Sequence, residues 1–191
     1  MLRVMLVDNH LERTAPLKQS LAEAGYEVIA HLSDTANLHD EVHRLQPDIV
    51  IIDTESPSRD TLEHLIVMGQ NAPRPIVMFT HDGDSEKIRA ATRAGVSAYV
   101  VGGLPNERLK PVMDAALARF EEFKSLREEL NLANSKLSER KVIEKAKGLL
   151  MKQRGIDEDA AYTLLRNMAM KQNIRLATLA EQVIQAAKLL L

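Results

Sequence analysis

Apolar positions change their period twice along the chain, and each change marks a different kind of structure. From the N-terminus to about residue 103, short runs rich in Val and Ile alternate with amphipathic stretches. The runs 3–7, 27–30, 49–52, 76–79 and 98–101 are mostly apolar on both faces, as strands covered on two sides are. Between them lie segments of helical length, 12–24, 36–45, 60–70 and 85–94, and Gly25 and Gly95 stand where helix C-caps belong. Five such units predict an α/β fold, a doubly wound five-stranded parallel sheet with helices on both faces. Ligands of such sheets sit at the carboxyl ends of the strands, here at Asp8, Asp53 and Thr80.

Beyond Pro105, a good first-turn residue, the pattern becomes a heptad. Val112, Ala116, Arg119, Phe123, Leu126, Leu130, Ala133 and Leu137 follow at alternating spacings of 4 and 3. This predicts a long helix over 105–137 that pairs with a second copy as a parallel coiled-coil dimer. Arg119 is the misfit. The alternative is that so short a seam buries itself against the preceding domain.

The stretch Leu137–Lys152 is then expected as a separate helix with Ser138 as its N-cap. At about 100° per residue, Val142, Ile143, Ala146, Leu149 and Leu150 share one face. Lys141, Lys145 and Lys152 run along one edge of it, and Arg140, Lys147 and Arg154 along the other. Gly148 falls on the open side between them. A glycine inside a helix costs about 1 kcal/mol relative to alanine; a polyanion backbone approaching closely would account for it. A second helix is expected after Gly155 with Asp157 as N-cap, burying Ala161, Leu164, Leu165 and Met168 and carrying Tyr162 and Arg166 along one edge. A third, from about Leu176, presents Leu179, Ala180, Val183, Ile184 and Ala187, with Thr178 and Glu181 at capping-box spacing. Residues 138–191 thus form a small three-helix bundle.

Composition narrows the classes. With 45% hydrophobic and 27% charged residues the chain is of globular type. The absence of cysteine excludes disulfides and thiolate zinc sites. No apolar run approaches the roughly 20 residues of a membrane span, and MLRVMLVD reads as a strand, not a signal peptide; a cytoplasmic protein without membrane contact is expected. The net charge of −2 hides an asymmetry. Residues 1–122 hold 12 Lys+Arg against 19 Asp+Glu, whereas 138–191 hold 10 against 6. A basic tail behind an acidic front points to nucleic acid, or merely to a lysine-rich bundle. At the strand ends, Asp8 and Asp53 have the chemistry to hold Mg²⁺ and to present an oxygen for phosphoryl transfer, or are ordinary loop and N-cap acids.

The segments MLVDNH, DIVIIDTESPSRDTLE, IVMFTHDGD and AGVSAYVVGGLP resemble the consecutive signatures of response-regulator receiver domains, over residues 1 to about 120. The resemblance implies the flavodoxin-like fold and makes Asp53 the candidate phosphoacceptor, with Asp8, Thr80 and Tyr99 around it. Two positions depart from the family. Asn9 replaces the second acid of the Mg²⁺ site, and Gly102-Gly103 replaces the Lys-Pro whose lysine pairs with the phosphoryl group. Fewer charges weaken a divalent site, and the lost lysine removes a charge-assisted partner. No cofactor is therefore required, Mg²⁺ binding is weakened, and control by protein contact is expected over phosphorylation of Asp53.

Residues 138–184, with the internal AKG, Met151, the pair Ala161-Tyr162 and the pair Leu165-Arg166 in order, are similar to the ANTAR domain of transcription antiterminators. A receiver followed by a coiled coil and ANTAR is the layout of regulators of the NasT and AmiR type. The resemblance implies a homodimer that holds paired stem-loops of a nascent leader RNA, so that the terminator hairpin does not form. RNA contacts would fall on Arg140, Lys141, Lys145, Lys147, Gly148, Met151, Lys152, Tyr162 and Arg166. The implied partner is a ligand-sensing protein of the NasS or AmiC kind, responding to nitrate, nitrite or an amide in nitrogen metabolism; the alternative is a histidine kinase acting through Asp53, with output on RNA or DNA. A helix-turn-helix reader of DNA would carry a basic second helix, whereas DEDAAY is acidic at that place. No nucleophile constellation or glycine-rich phosphate loop accompanies the carboxylates, so an enzyme is not expected.

Overall fold

This computed structural model describes residues 1–8, 11–102 and 106–189, without the side chains of 11–14, 106–107 and 188–189. The expected Asn9, Gly103 and Pro105 features lie outside the described residues. The chain divides into two compact units, Met1–Lys124 and Ser125–Leu191.

The first unit alternates β1 (Leu2–Asp8), α1 (Leu11–Glu23), β2 (Tyr26–Leu32), α2 (Leu38–Leu45), β3 (Ile49–Thr54), α3 (Arg59–Asn71), β4 (Ile76–Thr80), α4 (Ser85–Arg93) and β5 (Ala98–Val101), and takes in the start of α5 (Asn106–Arg154). The five strands form one parallel sheet in the order β2-β1-β3-β4-β5. Every expected strand is present, because each apolar run fills a layer on both sides of the sheet. Met5, Val7, Val50, Ile52 and Met78 face a core closed by α2, α3 and α4. Leu6, Ile49, Ile51, Val77 and Phe79 face another closed by α1 and α5. Gly25 and Gly95 end α1 and α4 at φ of +87° and +97°, which a side chain at Cβ would oppose. The second helix begins two residues later than its apolar pattern suggests. Asp34 accepts a hydrogen bond from the Ala36 amide at 2.8 Å, which turns the chain before it can wind.

Two expectations fail on α5. The helices predicted over 105–137 and from Ser138 are one helix of 49 residues. Between Pro111 and Gly148 no glycine or proline interrupts the chain, and a serine is too weak a stop once a helix is propagating. The heptad is also shorter than its sequence. Ala116 lies with Leu109 and Met113 in the core of the first unit and the partly buried Val112 packs against it, so Ala116 is withdrawn from contact with a second copy and Val112 is turned toward its own unit. From Glu121 to Lys141 every side chain is exposed.

In the second unit, α6 (Glu158–Gln172) and α7 (Leu176–Leu189) pack with the end of α5. Ala146, Leu150, Ala161, Leu165, Ala169, Leu179 and Ala180 form its core. Asp157 caps α6 as expected, accepting from the Ala160 amide at 2.8 Å. The Thr178–Glu181 capping box is absent as a cap: α7 already begins at Leu176, which puts Thr178 inside the helix.

Candidate phosphoacceptor pocket and nucleic-acid interface

Register brings the strand-end residues together. Asp8 of β1 lies opposite Asp53 of β3, and Thr54 of β3 opposite Thr80 of β4. Asp8 and Thr80 are buried and Asp53 is half-buried. His31 Nε2 stands 3.1 Å from the Asp8 carbonyl oxygen. A hard divalent cation would take oxygens from Asp8 and Asp53. Among the described residues no group of three or more His, Cys, Asp or Glu is placed to hold a metal, so the acids present fit such an ion only as a pair.

The loops after β3 and β4 are joined by a polar cluster. Thr80 Oγ1 donates to the Glu55 carbonyl at 2.8 Å and accepts from the Asp82 amide at 3.1 Å. The half-buried Tyr99 hydroxyl donates to the Asp82 carbonyl at 2.8 Å. Lys87 Nζ, from the first turn of α4, bonds Asp82 Oδ2 at 2.6 Å and Ser56 Oγ at 2.5 Å, and Ser56 Oγ donates to Asp82 Oδ2 at 2.7 Å. The Lys87 ammonium foremost, then the Asp84 amide and the Ser56 hydroxyl, lower the Asp82 carboxyl to about 2. The same Asp82 bond raises Lys87, and burial above all raises the Tyr99 phenol. Beside the cluster is an open cleft of about 520 Å³ lined by Glu55, Ser56, His81, Asp82 and Gly83. Sequence reasoning placed Thr80 and Tyr99 here but missed Ser56, Asp82 and Lys87. A lysine three residues into a helix carries no local sign that it folds back onto the preceding loop.

On the second unit, Arg140, Lys141, Lys145, Lys152, Arg154 and Arg166 are exposed. Gly148 is exposed too, and a Cβ built on it would meet nothing within 4 Å. Nothing inside the fold asks for a glycine there. Met151 and Tyr162 are partly open, Tyr162 at 43%. Met170, absent from the expected set, is more exposed than either. Lys147 departs from expectation. Only 6% of it is exposed, and its Nζ bonds Glu144 Oε1 at 2.8 Å and Glu158 Oε1 at 2.6 Å. Those two bonds raise its pKa, Glu144 contributing most. The helical wheel put Lys147 on an open edge; packing of α6 closes that edge.

The pattern of the response regulator receiver domain matches residues 4–114, and that of the ANTAR domain matches residues 132–184. The chain belongs to the ANTAR response regulators. This is a family of RNA-binding antiterminators in which a receiver domain precedes the ANTAR domain. Among relatives of this ANTAR response regulator, the transcriptional regulatory protein PdtaR of Mycobacterium tuberculosis is 28% identical over 183 residues, spanning 96% of this chain and 89% of its own length. The chemotaxis protein CheY of Listeria monocytogenes is 22% identical over 117 residues, covering 61% of this chain and 98% of its own. Of solved structures, a LuxR-family two-component response regulator from Aurantimonas sp. SI85-9A1 is 28% identical with a TM-score of 0.56, over 62% of this chain and 86% of that one. A receiver domain from Desulfovibrio desulfuricans G20 superposes with a TM-score of 0.56 at 20% identity, over 63% of this chain and 97% of that one, which speaks for the fold alone. No described helix is long and apolar enough to cross a membrane.

Proposed function

We propose that this protein is a cytoplasmic antiterminator that holds paired stem-loops of a nascent leader transcript, and that a ligand-sensing partner protein controls it through the receiver. The observation that carries the reading is the exposed edge of Lys141, Lys145 and Lys152 beside an open Gly148, on the helix matched by the ANTAR pattern. Lysines in a row track phosphates, and the electrostatic term sets most of the affinity. Tyr162 and Arg166, one turn apart on α6, offer an aromatic face and a guanidinium plane to unpaired loop bases.

The receiver spans 1–120, the dimerising helix lies within 105–137 and the RNA-binding unit spans 138–191. The seam between copies runs through Phe123, Leu126, Leu130, Ala133 and Leu137, all exposed. With Phe123 and Leu130 at one core position of the heptad and Leu126 at the other, Glu122 of one chain and Arg127 of a parallel partner fall at the facing g and e positions, where opposite charges favour that orientation. Two RNA-binding units on one dimer match two hairpins on one transcript and gain by multivalency.

Support for control by protein contact comes from Asn9 and Gly102 at the positions of an acid and a lysine. The deciding experiment pairs two variants. Lys141→Ala with Lys145→Ala abolishes the gel shift of a tandem stem-loop RNA at moderate salt; an unchanged shift defeats the RNA assignment. Asp53→Asn leaves antitermination in cells responsive to inducer; loss of regulation returns the phosphorylation reading.

A further inference from the structure

Lys147 sits in the middle of the basic segment, yet it is turned away from solvent. Its ammonium is shared between two helices, Glu144 one turn earlier on α5 and Glu158 in the first turn of α6. A buried lysine needs such partners, since an isolated ammonium in the interior is strongly disfavoured. The two carboxylates are themselves more than half exposed, so they remain solvated on the far side while closing over the amine.

The bridge has a geometric consequence. Glu158, Tyr162 and Arg166 are four residues apart and form one row along α6. Glu144, Lys147, Gly148 and Met151 fall at i, i+3, i+4 and i+7 and form one edge of α5. Tying Glu158 to Lys147 fixes which edge of α5 that α6 row runs along: the edge with the open glycine. Ala146 and Leu150 of α5 meet Ala161, Leu165 and Ala169 of α6 in the core; the bridge adds a polar tie at the edge of that packing, next to the row.

We infer that Lys147 is a positioning residue of the RNA-binding surface and not one of its phosphate contacts: it holds the Tyr162–Arg166 row of α6 beside Gly148 of α5. The proposal rests on the RNA-binding reading above only for its functional consequence. The lysine also offsets part of the negative charge that Glu158 sets beside this surface, one ammonium shared between the carboxylates of Glu144 and Glu158.

Loss of RNA binding in a Lys147 single variant does not separate contact from position, because that change also leaves two carboxylates unpaired next to RNA. The informative variant replaces the bridge by an apolar pair, Lys147→Met with Glu158→Leu, which leaves the net charge unchanged. Lys147 is the buried end of the bridge, and an apolar side chain of similar volume often substitutes for a buried charge when its partner is replaced with it. The full-length protein is measured by thermal melting and by filter binding to a synthetic RNA of two short stem-loops across a salt series. Lys147→Met alone is expected to melt lower and bind several-fold more weakly. The double variant is expected to regain both, with the salt slope of the wild type. A double variant that regains its melting temperature but still binds weakly, with a slope shallower by about 0.7 to 0.9 for one lost phosphate contact, overturns the proposal. So does one that stays as unstable as the single. Lys145→Ala, run in parallel, tests the RNA reading itself through its own loss of slope. If the wild type does not hold the RNA, that reading fails, while the melting comparison still decides whether the bridge positions α6.

Discussion

Replacing Gly148 by alanine is expected to stabilise the protein and weaken its grip on RNA in the same substitution. Gly148 lies inside α5, which continues to Arg154, and an added Cβ meets no atom within 4 Å. The steric term is therefore absent and the helix-propensity term stands alone, a gain of about 1 kcal/mol. Where the unit Ser125–Leu191 melts by itself, that corresponds to about 4–8 °C for a domain of 60–100 residues. The RNA term has the opposite sign. If a phosphate backbone lies against the Cα, the methyl displaces it, and a loss of about 1.4 kcal/mol weakens binding tenfold. Calorimetry gives the first quantity and filter binding to a tandem stem-loop RNA the second. A more stable variant with unaltered affinity refutes the close-approach argument. A variant that gains no stability refutes the premise that the space around Gly148 is empty.

Three further outcomes are expected. Leu130→Glu places a charge in the exposed seam and should shift sedimentation toward the monomer, while leaving the melting of the first unit alone, because Leu130 is exposed and lies outside that unit; Ala116, a core residue, and Val112, packed against the same core, are unsuitable for this test. Leu165→Ala empties a fully buried site in the helical core and should cost about 2–5 kcal/mol, enough to unfold a small bundle and abolish RNA binding with the receiver still cooperative by calorimetry. Asp82 has its folded pKa lowered from 3.8 to about 2, so its contribution is complete above the ordinary carboxylate range and is lost as pH falls toward 2. Amide exchange in the β4–α4 loop should accelerate over that window, and Asp82→Asn should remove the dependence; an identical profile in the variant would show that Asp82 is not the group responsible.

The receiver's sheet was legible because its strands are apolar on both faces, a pattern that a helix of similar length rarely gives. Gly25, Gly95 and Asp157 were legible because caps depend on one residue and its immediate neighbours. The start of the seam was not. The heptad positions Val112 and Ala116 are also the stripe by which α5 covers the sheet, and a list of spacings does not say which partner claims them. Lys147 was illegible for a related reason. The wheel of α5 counts only α5, and the carboxylate that draws the lysine inward is 11 residues away on the next helix. Lys87 repeats the lesson at the strand ends, where a helix residue reaches back to the loop before it.

The bare stretch of α5 from Glu121 to Lys141 has one more implication. A helix of about 20 residues with no tertiary packing is marginal in water, and this one holds Phe123 61% exposed and Leu130 59% exposed. Whatever covers those side chains also supplies the stability of the helix between the two units, and a second chain does so in proportion to its concentration. Where a second chain is what covers them, the order of this helix rises with the abundance of the protein.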